Sequence, residues 1–147
     1  MMANVPLGRE NLTLAMDQCA HAHPCPRAFV VDDDGAVGTL VGQVLTAIGF
    51  AVARSESGRE ALERIGRGER FDLVVSDVEM PGMDGPAFLM AARAVWPEID
   101  AVLVFVTGGY GASLSKSTAL RFTKPLKAEF YAHASDIFER RRPSPPR

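Results

Sequence analysis

Short apolar runs alternate with longer stretches of helical periodicity through the middle of the chain. Residues 28–31 form an apolar run followed by three aspartates, the last of which, Asp34, is placed to cap a helix over 37–48. Residues 50–53 predict a second strand, and a capping box that begins at Ser57 predicts a helix after it. The chain therefore opens as strand, helix, strand, helix.

The second half of the chain continues this alternation. A third apolar strand ends at Asp77, and after two tight turns a third helix begins at Pro86. Residues 101–106 and 120–123 predict a fourth and a fifth strand, and the apolar positions of 126–138 predict a last helix. Strands that alternate with helices indicate a parallel sheet covered on both faces.

The segment between the fourth and fifth predicted strands is too short to contain a full helix. Thr107 and Lys124 are separated by 16 residues, 108 to 123, which must also contain the fifth strand. Three glycines among the first four of these residues disfavour a helix at its start. We expect a loop or a single turn here instead of a full helix.

The two ends of the chain lack the alternating pattern. Residues 1–26 predict a flexible extension, residues 27–139 the one folded domain, and residues 140–147 a basic, proline-rich, disordered tail. Two cysteines and two histidines alternate within 19–25, a spacing that makes a poor tetrahedral metal cage. The extension is therefore interpreted as an ordinary arm.

Composition and charge narrow the class of protein. The chain has 147 residues, 47% hydrophobic and 23% charged, which suits one soluble domain with a full core. No apolar run is long enough for a membrane span, and a net charge of −2 gives no general attraction to nucleic acid or anionic membranes. Because the first residues lack a secretory pattern, we expect a cytoplasmic protein with Cys19 and Cys25 reduced.

Polar residues with chemical uses follow four of the five predicted strands. The first strand is followed by Asp32 and Asp33, the third by Asp77, the fourth by Thr107 and the fifth by Lys124, whereas the second strand has no such residue. Because the carboxyl ends of parallel strands meet at one edge of a sheet, these side chains are expected to converge in one shallow cleft.

Three carboxylates in one cleft repel one another, which raises their pKa values unless a cation joins them. Hard oxygen ligands and only two or three carboxylates favour Mg²⁺, which completes its coordination with water and phosphate oxygens. The Thr107 hydroxyl and the Lys124 ammonium suit the oxygens of a phosphoryl group. This chemistry favours Asp77 as a nucleophile that forms an acyl phosphate.

Four ordered motifs resemble the receiver domain of bacterial two-component response regulators. The resemblance covers residues 27 to about 139. It implies a flavodoxin-like, doubly wound, five-stranded parallel sheet of order 2-1-3-4-5, with the helix between the fourth and fifth strands reduced or absent. The motifs are Val30-Val-Asp-Asp33, Ser76-Asp-Val-Glu-Met-Pro-Gly-Met-Asp-Gly85, Val104-Phe-Val-Thr107 and Thr123-Lys-Pro125.

The resemblance also implies the roles of the acidic residues. Asp77 would take the phosphoryl group from a phosphohistidine on a sensor histidine kinase or phosphotransfer protein. Asp33, Asp77 and the backbone carbonyl of Glu79 would bind Mg²⁺, and Asp32 would act through a metal-bound water. The implied protein is a signalling module and not an enzyme, because autocatalytic phosphoryl transfer and slow autodephosphorylation are its only chemistry.

The remaining motif residues include two departures from the family. Thr107 is implied to hydrogen-bond the phosphoryl group and Lys124 to pair with it, beside a cis peptide to Pro125. The family's aromatic switch residue lies three places before the lysine, where this chain has Arg121. Tyr110, in a turn similar to that of some stand-alone and hybrid-kinase receivers, is the hypothetical replacement. With no room for an output domain, we expect output by protein contact or phosphorelay.

Two other functions stay open. Phe29-Val-Val-Asp-Asp-Asp-Gly35 resembles the first motif of haloacid-dehalogenase phosphatases, in which Asp32 would be the nucleophile of a Mg²⁺-dependent reaction and Asp34 an acid. That alternative leaves Asp77 unexplained, and the family's closing acidic pair after Lys124 is absent. The third function is a module that binds partners without phosphorylation, against which the complete set of site residues argues.

Overall fold

Strands and helices alternate along residues 25–108 and 120–143, the part of the chain that the computed structural model describes. The strands are β1 (Arg27–Val31), β2 (Ala51–Ser55), β3 (Leu73–Asp77), β4 (Leu103–Thr107) and β5 (Leu120–Thr123). The helices are α1 (Gly35–Ile48), α2 (Gly58–Gly66), α3 (Gly85–Val95) and α4 (Ala128–Arg141), with a 3₁₀ helix at Pro97–Ala101.

The five strands form one parallel sheet in the order β2-β1-β3-β4-β5. The chain runs outward from β1 to β2 and then crosses to β3 on the other side, so the winding reverses between β1 and β3. Core residues of α1 and α4 pack on one face, and those of α2 and α3 on the other. The predicted doubly wound parallel sheet is confirmed.

Side chains of the central strands alternate between two hydrophobic cores. In β1, Phe29 and Val31 pack toward α2 and α3, while Ala28 and Val30 pack toward α1 and α4. Every residue of β3 and β4 is buried, which explains their nearly continuous apolar runs. The two cores hold the sheet from both sides and thereby fix the positions at which its strands end.

Side-chain caps determine where three of the helices begin. The N-caps of α1, α2 and α3 are Asp34, Ser57 and Asp84, and each accepts a backbone N–H of the first turn. These bonds satisfy amides that have no partner inside the helix. The caps predicted at Asp34 and Ser57 are confirmed, as is Pro86 in the first turn of α3.

Some boundaries differ from the sequence prediction. β2 continues through Arg54 and Ser55, beyond its apolar run at 50–53, because its ladder with β1 is made by the backbone and accepts polar side chains. The fourth strand is predicted to begin at Ala101, but this residue ends the 3₁₀ helix Pro97–Ala101, and β4 begins at Leu103. α4 continues to Arg141, two residues beyond 139.

The edge of the sheet at which β1 and β3 begin carries a junction on Asp72. One carboxylate oxygen of Asp72 accepts the N–H of Arg27, the first residue of β1, at 2.8 Å. The other oxygen pairs with Arg141, the last residue of α4, at 3.3 Å. The beginning of the first strand and the end of the last helix therefore meet at one side chain.

Several predictions concern residues outside the described ranges. These are the arm over 1–26, of which only residues 25 and 26 are described, the loop that replaces a helix, which falls within 109–119, and the last residues of the tail, 144–147. Four α-helices in the described residues fit a reduced helix between β4 and β5.

The state of the Cys25 sulfur differs from the prediction. Cys25 is disulfide-bonded, so the prediction of a reduced thiol is wrong at this residue. Sequence spacing alone does not show whether two sulfurs come close enough to bond.

No helix among the described residues is long and apolar enough to cross a bilayer.

Candidate functional site

The carboxyl ends of β1 and β3 place two aspartates side by side. Val31 pairs with Ser76 in the parallel ladder, so the next residues, Asp32 and Asp77, are level at the sheet edge. They are largely buried, with relative exposures of 4% and 9%. Asp33 is exposed, and one carboxylate oxygen from each of the three aspartates lies within 4.8 Å of the others. The three acids that the sequence predicts to converge do so.

This donor set fits a hard divalent cation. Asp32, Asp33 and Asp77 offer only carboxylate oxygens, the ligands that Mg²⁺ prefers. Two of these carboxylates are buried, and buried charges of one sign are costly unless a counter-charge joins them. The exposed Asp33 leaves one side of the group open to water. The residues present therefore fit a cation that retains water ligands.

Lys124 supplies a positive charge to the two buried aspartates. Its Nζ lies 3.2 Å from Asp32 Oδ2 and 3.7 Å from Asp77 Oδ2. Its backbone N–H donates to the Thr107 carbonyl at 2.8 Å, and its peptide bond to Pro125 is cis, as the resemblance implies. A cation from the end of β5 thus reaches across the sheet edge to both buried acids.

Burial raises the pKa of the Asp77 carboxyl above its ordinary value, and the Lys124 ammonium opposes this rise. The Asp32 charge raises the pKa further, whereas backbone N–H groups of Glu79 and Val78 lower it. The net direction is upward because the donors do not replace all the water lost on burial. A poorly hydrated carboxylate is a better nucleophile than one surrounded by water, so the surroundings of Asp77 favour acceptor chemistry.

The backbone after Asp77 passes very close to the start of α3. The Gly85 N–H donates to the Val78 carbonyl at 2.8 Å. A Cβ at Gly85 would lie 2.5 Å from the Asp77 carbonyl oxygen, closer than real Cβ atoms approach. Gly82 adopts φ 81°, a conformation that glycine allows without strain. The loop is therefore closed tightly beneath Asp77, with Glu79 exposed within it.

The other candidate residues occupy different places. Thr107 is buried at the end of β4, where it pairs with Thr123 in the ladder. Arg121 is exposed on the outer strand β5, while its neighbour Phe122 makes an edge contact with Phe130 of α4 at 5.5 Å between ring centroids. Tyr110 lies outside the described residues. The structure thus gathers Asp32, Asp33, Asp77 and Lys124, with Thr107 on the adjacent strand end.

β2 adds a contact that the sequence analysis does not predict. Its last residue, Ser55, is buried, and the Ser55 carbonyl accepts the Asp32 N–H at 3.1 Å. The Ser55 hydroxyl donates to the Ser57 carbonyl at 3.2 Å. This contact is made by the backbone of β2, so it adds no side chain of the second strand to the site residues. Because any residue offers a backbone carbonyl, the residue type gives no signal for this contact in the sequence.

Asp34 is engaged as a helix cap. Its carboxylate accepts the N–H groups of Ala36 and Val37 at 3.0 and 3.2 Å, and its own N–H donates to Asp32 at 2.9 Å. A phosphatase of the dehalogenase type would use this residue as an acid. Because the carboxylate is already bonded to the first turn of α1, the geometry disfavours that alternative.

Comparison with protein families gives one match of broad extent. The family model of the response regulator receiver domain matches residues 28–122. The matched segment includes the three clustered aspartates and Thr107, and it ends before Lys124.

Two curated relatives share this segment. The transcriptional regulatory protein GlrR of Escherichia coli K12 is 31% identical over 127 residues, which cover 84% of this chain and 28% of GlrR. The sensor kinase CckA of Brucella abortus is 41% identical over 81 residues, covering 54% of this chain and 8% of CckA. The chain therefore spans only a fraction of the length of these relatives.

Solved structures show the same architecture. The chemotaxis protein CheY4 of Vibrio cholerae superposes with a TM-score of 0.66 at 26% identity, covering 76% of this chain and 97% of CheY4. A response regulator receiver protein from Sinorhizobium medicae gives a TM-score of 0.67 at 22% identity, covering 78% and 95%, and shows the fold alone. With its flavodoxin-like sheet and its family match over 28–122, the chain belongs to the response regulator receiver domain family.

Proposed function

We propose that this chain is a phosphoryl-accepting signalling receiver and that Asp77 carries the phosphoryl group. The observation that supports this most is the convergence of the Asp77 carboxylate with two further carboxylates and one ammonium. Oxygens of Asp32 and Asp33 lie within 4.8 Å, and Lys124 Nζ lies 3.7 Å from Asp77 Oδ2 and 3.2 Å from Asp32 Oδ2. An acid that adjoins both an ammonium and a group of carboxylates fit for a cation is suited to accept a group that carries several negative oxygens.

In the proposed step, an Oδ atom of Asp77 attacks the phosphorus of a phosphohistidine. A P–O bond forms, the P–N bond breaks, and its electron pair returns to the imidazole, which leaves an acyl phosphate on Asp77. The Lys124 ammonium pairs with a phosphoryl oxygen, and the Thr107 hydroxyl donates a hydrogen bond to another. Bound Mg²⁺ supplies positive charge for the phosphoryl oxygens. Its proposed ligands are Asp33, Asp77 and the Glu79 carbonyl, with Asp32 acting through water.

The proposed donor is a sensor histidine kinase or a phosphotransfer protein. Membership of the receiver family supports this class of partner, and one relative is named a sensor kinase. The proposed receiver unit is 27–139, in the cytoplasm, with output by protein contact or phosphorelay. Its only proposed chemistry is phosphoryl transfer to itself and slow autodephosphorylation.

The readout of phosphorylation is proposed to differ from the usual receiver. Arg121 is exposed on β5 at the place of the family's aromatic switch, so no ring at that place can follow Thr107 inward. Tyr110 is the proposed replacement.

The decisive experiment compares wild type with Asp77→Asn. Each protein is incubated with acetyl phosphate and Mg²⁺, and the mass of the intact chain is measured. Wild type is expected to gain one phosphoryl group and Asp77→Asn none. Asp84→Asn is the matched control, because Asp84 is an acid in the same loop that caps α3, and it should be labelled like wild type.

Two outcomes would contradict the proposal. Labelling of Asp77→Asn at the wild-type level would place the acceptor elsewhere. Continuous hydrolysis of phosphate esters that survives Asp77→Asn but stops in Asp32→Asn would favour the dehalogenase-type phosphatase.

A further inference from the structure

Two adjacent residues of β2 hold both ends of the acidic loop that follows β1. The Ser55 carbonyl accepts the Asp32 N–H at 3.1 Å. Arg54 Nη2 donates to the Gly35 carbonyl, in the first turn of α1, at 3.0 Å. Asp33, the exposed carboxylate of the cluster, lies between these two attachments. β2 therefore restrains the backbone from which Asp33 projects.

Apart from its Asp34 cap, the first turn of α1 is weak in its own sequence. It contains Gly35 and Gly38, which cost helix stability, and none of its own residues is acidic. A hydrogen-bonded group around the Gly35 carbonyl offsets this weakness. The Thr39 hydroxyl donates to that carbonyl at 2.8 Å, and Arg54 Nη1 donates to the Thr39 hydroxyl at 2.7 Å.

The glycines of α1 also make room for the arginine. A Cβ at Gly38 would lie 2.7 Å from Arg54 Nη2, and a Cβ at Gly42 would lie 3.6 Å from Arg54 Cδ. A side chain at residue 38 would therefore displace the Arg54 guanidinium from its present position. Gly38 thus lowers the helix propensity of the first turn, and it also leaves room for the Arg54 guanidinium that bonds this turn.

The backbone of Arg54 is itself restrained from the other side. Arg64 of α2 donates from Nη1 to the Arg54 carbonyl at 3.2 Å. Glu69 holds Arg64 in place through two bonds, of 2.9 and 2.8 Å. Arg54 thus links a fixed point on α2 to the first turn of α1, and its side chain is not merely a surface charge.

We propose that Arg54 is a positioning residue for the acidic cluster, holding the first turn of α1 so that Asp33 stays aligned with Asp32 and Asp77 for Mg²⁺. This inference rests on the proposed function. Charge alone predicts the opposite effect, because removing a cation near three carboxylates would strengthen their attraction for Mg²⁺. The two effects therefore have opposite signs and can be separated.

The test measures Mg²⁺ affinity by isothermal titration calorimetry, under conditions in which every variant is folded. Arg54→Ala is expected to weaken binding about fivefold, less than the loss that follows removal of a direct partner of a metal ligand. The matched control is Arg59→Ala, which removes the same charge from an exposed position in α2. Its affinity should be unchanged or slightly higher.

A second measurement needs no metal. The Gly38 N–H donates to the Asp34 carbonyl at 2.9 Å and so reports on the first turn of α1. Its hydrogen exchange should be faster in Arg54→Ala than in wild type. The double variant Arg54→Ala/Gly38→Ala raises the helix propensity of residue 38 in a protein that lacks the Arg54 hydrogen bonds. It should recover most of both the exchange protection and the Mg²⁺ affinity.

The outcomes separate this inference from the proposed function. If wild type binds Mg²⁺ and Arg54→Ala binds it equally well while melting at a lower temperature, Arg54 is only structural and the positioning role is wrong. Tighter binding by Arg54→Ala would show that charge dominates and would also overturn it. A wild type that binds no Mg²⁺ would instead contradict the proposed function.

Discussion

The Asp77 carboxyl lies in surroundings that disfavour the anion that the proposed reaction uses. Burial and the nearby Asp32 raise its pKa, and Lys124 offsets this only in part. In the metal-free protein, ionised Asp77 is therefore a cost to folding. A cation bound beside Asp77 would relieve this cost, so we expect cation binding to be coupled to the ionisation of Asp77.

This cost predicts the effect of Asp77→Asn on stability. Because the folded-state pKa lies above the unfolded value, the protonated acid contributes stability below the unfolded pKa, and that stability is lost as pH rises through the folded pKa. In the absence of metal, Asp77→Asn should therefore unfold at a higher temperature than wild type at pH 7. The advantage should shrink as the pH approaches the ordinary range of aspartate.

Thermal unfolding monitored by circular dichroism in EDTA, from pH 7 to pH 4, checks this prediction. Asp136→Asn, an exposed acid of α4 paired with Arg140, removes the same charge away from the sheet edge. It should show no gain. A wild type more stable than Asp77→Asn at pH 7 in EDTA would mean that Lys124 outweighs burial.

Among the elements, the contact between the start of α3 and the end of β3 leaves the least room for change. A Cβ at Gly85 would also lie 2.8 Å from Phe105 Cε1, besides its contact with the Asp77 carbonyl. The added methyl group would clash with both the Asp77 backbone and the buried Phe105 ring, and neither can move away easily. Gly85→Ala should therefore lower the free energy of unfolding by about 1–3 kcal/mol. Urea unfolding measures this loss.

Gly66→Ala is the matched control, because no atom lies within 4 Å of a Cβ added there. It should leave stability unchanged or raise it by about 0.4–1 kcal/mol. Equal effects of the two substitutions would show that the approach of α3 to Asp77 is not tight.

The sequence predicts those elements whose signals are local. Apolar runs locate the central strands because both their faces are buried, and caps such as Asp34 locate helix starts. The end of β2 is missed because Arg54 and Ser55 are polar and their roles depend on α1 and β1. The three aspartates could be grouped in advance because strand ends in a parallel sheet share one edge. The contacts of Arg54 could not, since no periodicity shows which helix an arginine reaches.

At the scale of the molecule, the proposed Mg²⁺ site predicts that stability depends on metal. A ligand that binds only the folded state at 100 times its Kd should raise the free energy of unfolding by about 2.7 kcal/mol. Urea unfolding of wild type in saturating Mg²⁺ and in EDTA should show a difference of this size. Asp33→Asn should lose most of the difference, because it removes the negative charge of the exposed carboxylate in the cluster. The same gain in Asp33→Asn would place the Mg²⁺ effect elsewhere.

The junction on Asp72 has a consequence for how such a unit can be connected to other proteins. Arg27 and Arg141 both bond this one carboxylate, so the chain enters and leaves the unit at neighbouring points. These points lie at the edge from which the strands start, while the acidic cluster lies at the edge where they finish. A tether on either side, or insertion of the whole unit into a loop of a larger protein, would therefore leave the face that carries the acidic cluster open to a docking partner.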